Sequence, residues 1–173
     1  ELDTDDAVDL ISELSEARQA EVLAEIEDAE RIQDIQELLA YDEDSAGGLM
    51  AKELVKVNEN WTITKCVREM RVQAGEVKRV HSIYVVDDND ILLGRLSLKD
   101  LLTATDKAKI KTVYTPKVDY VNVNEGGDEV AKLMAKYDLE AVPVVDDEKK
   151  LLGRITIDDI VDFIKEEADK DYQ

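Results

Sequence analysis

The sequence has few of the residues on which catalytic and redox chemistry most often depends. Its one cysteine, Cys66, excludes an internal disulfide bond, and its position in a helical pattern predicts a buried structural thiol. Its one histidine, His81, has no second histidine or cysteine cluster to complete a zinc site, so a packing or surface role is predicted. Aromatic residues make up only 5% of the chain. No substrate groove or catalytic set is suggested, and we do not expect an enzyme.

Long hydrophobic runs and glycine-rich phosphate loops are also missing. No apolar stretch approaches the roughly 20 residues needed to cross a bilayer, and no secretory signal pattern opens the chain. We therefore expect a soluble chain, whose start inside an acidic helical pattern suggests a piece of a longer protein. Because no Walker-type loop is present, any bound nucleotide would be an effector.

Negative charge is concentrated near the N-terminus. The formal net charge is -20, and residues 1–48 contain 17 Asp and Glu against two Arg, a net of -15. Such a field repels nucleic acid and anionic membrane surfaces and concentrates cations, although acidity often serves solubility alone. We expect no nucleic-acid partner.

An internal duplication is the strongest pattern in the sequence. Residues Ile83–Leu102 align without a gap to Val142–Val161, with nine identities in twenty positions at a constant offset of 59. Both copies contain the letters VVDD, then LLGR and an aspartate. Two copies of one supersecondary unit predict a pseudo-symmetric pair.

Composition divides the chain into a helical start and two mixed repeats. Residues 1–42 carry apolar stripes at helical spacing, which predicts two or three short helices, and the adjacent glycines within Tyr41–Met50 predict a boundary. Each half beyond it has the order β-α-β-β-α. The predicted strands are Leu54–Val57, Ser82–Val86, Leu92–Leu96, Tyr120–Val123, Ala141–Val145 and Leu151–Ile155, and the predicted helices are Ile63–Gln73, Leu98–Ala104, Asp128–Tyr137 and Ile157–Asp169. We predict an α+β protein with a partial all-α domain at 1–42, a first repeat at 43–110 and a second repeat at 111–173.

This order, with a Gly-Arg strand end, a Ser or Thr helix start and an Asp three residues later, resembles the CBS domain, which occurs as tandem pairs. The segments YDEDSAGGLM, LLGRLSLKDLL, VAKLMAKYDLEAVPVVD and GRITIDDIVDFIKEEADKD together resemble the cytosolic part of the MgtE family of magnesium channels and transporters. The resemblance covers essentially the whole chain: the end of the N domain and both CBS repeats. It implies a location on the cytoplasmic side of the cell membrane, next to a transmembrane domain of the same protein.

The aspartates that follow the Gly-Arg elements have two competing explanations. Thr156 with Asp159, and Ser97 with Asp100, have the spacing of a capping box, in which hydroxyl and carboxylate satisfy backbone amides at a helix start. In many CBS pairs the same aspartate binds a nucleotide ribose. The resemblance therefore implies a possible ATP site with Ser97, Lys99 and Asp100.

Acidic residues on the last helix give the argument for a metal. Ile157, Ile160, Val161 and Ile164 are predicted to fill a core stripe, which leaves Asp159, Asp162 and Glu166 on another side. Two such carboxylates about 4 Å apart repel by roughly 4 kcal/mol at an effective dielectric near 20, so their convergence requires water or a cation. A solvated acidic face is the alternative. Magnesium suits all-oxygen sites and often takes only one or two carboxylates.

The resemblance to the MgtE family assigns the candidate metal ligands. They are Asp5 and Asp9 on an N-domain helix, Gly48 and Ala135 through backbone oxygen, Asp138, Asp159 and Asp162 on the CBS side of the same interface, and Asp128, Glu167 and Asp171 facing the dimer partner or the plug helix. Lys170 and Gly126 stand where the family often has acids.

The resemblance implies an intracellular magnesium sensor, dimeric through its CBS helices, with Mg2+ as regulatory ligand. At low magnesium the carboxylates would repel and the domains would separate; at high magnesium the assembly would compact and close the pore. A CBS adenine-nucleotide sensor is the main alternative, and an interaction scaffold without ligand is a third.

Overall fold

Three short helices begin the chain. The computed structural model describes the backbone of residues 2–171 and the side chains of residues 2–170. Helices α1 (Thr4–Ser12), α2 (Glu16–Ala24) and α3 (Ala29–Leu39) form the predicted helical start. Ser15 and Asp28 cap α2 and α3 by accepting backbone amide hydrogens, whereas Asp3 at the start of α1 makes no side-chain cap. The Asp3 carboxylate is therefore available to another partner.

The two repeats follow with the predicted order. The first contains α4 (Ala46–Leu49), β1 (Val55–Asn58), α5 (Ile63–Ala74), β2 (Ile83–Val86), β3 (Leu92–Leu96), α6 (Leu98–Thr103) and a 3-10 turn at Ile110–Thr112. The second contains β4 (Val121–Asn122), α7 (Gly127–Lys136), β5 (Ala141–Val145), β6 (Leu151–Thr156) and α8 (Ile157–Asp171). The predicted α+β class and the β-α-β-β-α order are confirmed.

Each repeat has its own three-stranded sheet, and the two sheets share their irregularities. In each sheet a parallel pair is followed by an antiparallel hairpin, in the orders β1-β2-β3 and β4-β5-β6. The register shifts at Val85/Val86 in one and at Val144/Val145 in the other. Positive φ angles occur at Asp90 (62°) and Lys149 (67°), the equivalent positions of the two hairpin turns. The duplication therefore extends to backbone detail.

The hairpin turns of the two repeats meet each other. The amide of Leu92 donates to the carbonyl of Lys149, and the amide of Leu151 donates to the carbonyl of Asp90, both at 2.9 Å. A small apolar cluster lies around this contact, with Tyr84, Val86, Leu92, Val145 and Leu151 buried. These reciprocal contacts join the repeats as a pseudo-symmetric pair.

The N-terminal helices share a core with the second repeat and with α4, and not with the sheet of the first repeat. Ala7, Val8, Ile11, Ile35 and Leu38 pack in one buried cluster with residues of β4, β5, β6, α7 and α8. The first repeat has a separate core around Val57, Cys66 and Ile110. This arrangement places α1 beside the acidic helix α8.

One feature of α8 differs from the prediction. Ile160 and Phe163 are buried, but Ile157, Val161 and Ile164 are 38%, 41% and 50% exposed. We predicted that Ile157, Ile160, Val161 and Ile164 all fill the core, and this prediction was wrong for every one of them except Ile160. The side of α8 that faces the core is the side that carries Phe163. Among the described residues, no helix is both long and apolar enough to span a membrane.

Candidate cation site between the N-terminal helices and the second repeat

Two predicted ligands meet where α1 approaches α8. Asp5 is 8% exposed, and its carboxyl lies near the carboxylate of Asp159. Burial, followed by the charge of Asp159, raises the pKa of Asp5 to about 8. A cation placed between Asp5 and Asp159 would therefore be stabilised by both carboxylates.

A second pair of carboxylates lies further along the same helices. Burial, then the charge of Glu166, raises the pKa of Asp9 to about 6, and Asp6 and Asp159 contribute smaller repulsions. The pKa of Asp6 is raised as well, by burial and then by Asp159. The structure therefore brings Asp5, Asp9 and Asp159 to one interface. Asp6, which the sequence argument did not single out, lies beside them.

Arg154 is a buried cation at this interface that the sequence argument missed. It is 8% exposed, its Nη2 lies 3.3 Å from the Asp3 carboxylate, and its Nη1 lies 3.6 Å from Asp159. Its Nε donates to the carbonyl of Glu53 at 3.0 Å. In the sequence, the Gly-Arg element indicates only the repeated fold, because the same two letters occur in both copies.

Asp159 also serves the start of α8. Its Oδ2 accepts from the Thr156 amide at 3.0 Å and from the Thr156 hydroxyl at 2.9 Å. In the first repeat, Ser97 and Asp100 form the complete reciprocal capping box. Capping is thus confirmed for both aspartates, with the difference that Thr156 donates its hydroxyl hydrogen instead of accepting one.

The other predicted ligands of this interface are more exposed. Asp138 has a positive φ of 52° in the turn after α7, its amide donates to the carbonyl of Ala135 at 3.4 Å, and Asp162 lies on the exposed side of α8. Gly48 is half-buried in α4, where an added Cβ would lie 2.1 Å from the Asp42 carbonyl. No hydrogen bond or ion pair within residues 2–170 joins Asp138 or Asp162 to α1. In the same part of the chain, no three Asp, Glu, His or Cys side chains converge enough to hold a metal ion.

The candidate ligands on the far side of α8 are not gathered either. Asp128 is exposed in the first turn of α7, and Glu167 accepts from Lys170 Nζ at 3.3 Å. Lys170 Nζ also lies 4.0 Å from Asp44. The side chain of Asp171 lies outside the described residues.

The possible nucleotide residues lie at the start of α6. Lys99 is exposed, and Asp100 is occupied by the cap, where it accepts from the Ser97 amide at 3.0 Å. A groove of about 940 Å3 lies elsewhere, between the N-terminal helices and the two repeats. Its lining includes Arg31, Glu53 and Lys150 but none of Ser97, Lys99 and Asp100.

Comparison with known proteins places the chain in a family. The MgtE intracellular N domain model matches residues 1–44, and the CBS domain model matches residues 46–107 and 110–166. The magnesium transporter MgtE of Thermus thermophilus is 41% identical over 138 residues, which is 80% of this chain and 31% of that protein. The chain belongs to the MgtE family. The predicted resemblance is therefore confirmed.

Solved structures of MgtE-type proteins have the same fold. The soluble part of a magnesium transporter matches with a TM-score of 0.87 at 35% identity, over 96% of this chain and 65% of that one. The cytosolic domain of the Mg2+ channel MgtE in complex with ATP matches with a TM-score of 0.85 at 36% identity, over 94% of this chain and 66% of that one. The chain spans about a third of the length of the curated MgtE relatives it matches. Relatives named magnesium transporter MgtE match 80%, 83% and 99% of this chain.

Proposed function

We propose that this chain is the cytosolic regulatory region of a magnesium channel or transporter and that it senses Mg2+ through the carboxylates between α1 and α8. The observation that carries the proposal is the approach of the buried Asp5 carboxyl on α1 to Asp159 on α8, across two domains, which raises the pKa of Asp5 to about 8. Similarity to magnesium transporters supports the choice of cation.

The residues present suit a hard divalent cation by their chemistry. Asp5, Asp9, Asp159 and Glu166 offer only carboxylate oxygens, and magnesium often binds through one or two carboxylates while it keeps several waters. We propose that these side chains hold the ion. Asp138, Asp162 and the backbone oxygens of Gly48 and Ala135 are proposed as further ligands, and Asp128, Glu167 and Asp171 as ligands facing the dimer partner or plug helix.

The mechanism follows from the charges on α1 and α8. A bound divalent cation would supply positive charge between the two helices. Without it, Asp5 and Asp9 face Asp159 and Glu166, and each carboxylate that ionises gains hydration when α1 moves away. Any ligand that binds the docked arrangement better than the separated one shifts the population toward it. We propose that docking closes the pore through the connected plug helix and transmembrane domain.

The experiment that tests the proposal is a magnesium titration followed by calorimetry and X-ray scattering. Compaction should exceed that caused by sodium chloride at matched ionic strength. Asp159→Asn should raise the magnesium midpoint by about tenfold, because a charged contact is lost. Asp100→Asn, the equivalent cap in the first repeat, should leave the midpoint unchanged. Equal midpoints in the two variants would remove Asp159 from the site.

An adenine-nucleotide sensor is the second candidate function. One structure similar to this chain contains ATP, and the resemblance to CBS pairs suggests Ser97, Lys99 and Asp100, at the start of α6, as contacts for ribose and phosphate. Calorimetry with ATP in the absence of magnesium tests it. Heat that disappears in Asp100→Ala would support nucleotide binding at α6. Compaction by ATP without magnesium would make the nucleotide the main effector.

We also propose that the chain dimerises through α6 and α8. Leu98 and Leu102 on α6 are 69% and 75% exposed, and their equivalents Ile157 and Val161 on α8 are exposed as well. An apolar face repeated on both halves suits a symmetric partner, since isologous contacts pair each patch with its own copy.

A further inference from the structure

The two arginines of the Gly-Arg elements have the same backbone environment and different side-chain environments. Arg95 exchanges two 2.9 Å hydrogen bonds with Thr115, and Arg154 exchanges two 2.9 Å hydrogen bonds with Ala51. Arg95 is exposed and forms no ion pair within the described part of the chain, whereas Arg154 is 8% exposed. Burial of one arginine and not the other therefore depends on what packs over it.

What covers Arg154 is the start of α1. Its guanidinium contacts the Asp3 carboxylate from the N-terminal segment and Asp159 from α8. Its Nε binds the carbonyl of Glu53, whose carboxylate accepts from the Thr4 amide and hydroxyl, both at 2.7 Å. Three separate chain segments are thus joined at one side chain.

Charged groups lie beside the apolar core that Ala7, Val8 and Ile11 of α1 share with the second repeat. Helix α1 packs chiefly against α3, while Asp3, Asp5 and Asp159 surround Arg154. A buried carboxylate without a partner is strongly unfavourable, so loss of the guanidinium would favour separation of α1, which returns the carboxylates to water.

We propose that Arg154 is a resident counter-cation that holds α1 on the second repeat when no divalent cation is bound, and so limits how far the domains separate. In this role Arg154 always supplies one positive charge to the carboxylates between α1 and α8, and a bound divalent cation neutralises the negative charge that remains. The role deepens the proposed magnesium sensing but can be tested in metal-free buffer, where failure of magnesium binding does not affect the result.

The test measures the distance between the N-terminal helices and the first repeat by fluorescence energy transfer. Dyes are attached at Glu21→Cys and Lys107→Cys, both exposed positions, while Cys66 is buried and its pKa is raised to about 11. Labelled chains are mixed with excess unlabelled chain, so that transfer between protomers is excluded. Arg154→Met is compared with its matched control Arg95→Met.

In EDTA, Arg154→Met should lower the ratio of docked to undocked chains by about tenfold or more, the effect expected for a lost charged hydrogen bond. Arg95→Met should leave it unchanged. Asp3→Asn removes the N-terminal partner alone, and because Asp3 makes no helix cap it should lower the ratio without disturbing α1. Saturating magnesium should restore transfer in all variants.

Two results would overturn the role of Arg154. One is unchanged transfer in EDTA for a folded Arg154→Met chain; the other is unchanged transfer for Asp3→Asn, which decides the question if Arg154→Met does not fold. A wild-type chain that ignores magnesium would refute the sensor and leave the EDTA comparison valid.

Discussion

Asp5 holds a carboxyl group where the charged form is disfavoured. Its pKa is raised from 3.8 to about 8 by burial and by Asp159. The unfolded chain therefore ionises Asp5 at lower pH than the folded chain does, and the free energy of unfolding falls as pH rises from about 4 to about 8. At neutral pH this residue opposes folding unless a cation is present.

Replacement of Asp5 by asparagine should consequently stabilise the metal-free chain. In EDTA, Asp5→Asn should raise the melting temperature by about 2–4 °C for each kcal/mol of repulsion removed, and more at pH 8 than at pH 5. Magnesium should stabilise the variant less than it stabilises wild type. Differential scanning calorimetry measures both effects.

The neighbouring Asp6 supplies the control for this prediction. Asp6 is exposed and occupies the same first turn of α1, so Asp6→Asn loses the same favourable interaction with the helix dipole. It should gain less stability than Asp5→Asn, because Asp6 is exposed whereas Asp5 is 8% exposed. Equal gains for Asp5→Asn and Asp6→Asn would show that the carboxylate pair does not destabilise the metal-free chain.

Individual residues differ in how well the sequence predicted them. Asp5, Asp9 and Asp159 could be placed at one interface because they match acidic positions of the MgtE family. Arg154 could not, since its letters are identical to those at Arg95 and only packing separates the two. What distinguishes Arg154 is the group of acidic side chains that surrounds it in the folded chain, and the sequence does not show this group.

At the scale of elements, the start of α7 depends on a close approach to α8. An added Cβ on Gly127 would lie 2.5 Å from the ring of Phe163, whereas an added Cβ on Gly126 would meet nothing within 4 Å. The Phe163 ring is buried, so it has little room to move. Adjacent glycines thus have very different constraints.

Gly127→Ala should therefore lower the free energy of unfolding by about 1–3 kcal/mol, the usual cost of overpacking. Gly126→Ala should change it by less than about 0.5 kcal/mol, since the surrounding space is open. Urea unfolding followed by circular dichroism compares the two. A similar loss in both variants would mean that backbone freedom, and not contact with Phe163, explains the glycines.

The order and most bounds of the elements were predictable because the duplication supplies two readings of the same unit. Strands Leu92–Leu96 and Ala141–Val145 were predicted to the residue. The buried side of α8 was not, because isoleucine and valine at helical spacing suit either a core or a partner surface. Only the folded structure shows that Ile157, Val161 and Ile164 are exposed, which favours a partner surface over a core position.

At the scale of the whole molecule, the apolar faces of α6 and α8 predict a dimer. Five large apolar residues of these helices are exposed and lie outside the buried cores: Leu98 and Leu102 on α6, and Ile157, Val161 and Ile164 on α8. Burial of such faces is worth roughly 25 cal/mol per Å2, so two copies gain by covering them together.

Glutamate at the centre of either face should break this dimer. Leu102→Glu and Val161→Glu should each raise the dissociation constant by about thirtyfold or more, because a charge would be buried at a hot spot of the interface. Val72→Glu is the matched control, since Val72 is 61% exposed on a different helix, α5. Sedimentation equilibrium at micromolar concentration measures the association. A wild-type chain that sediments as a monomer, or a Val72→Glu chain that dissociates as readily as the other two, would contradict association through α6 and α8.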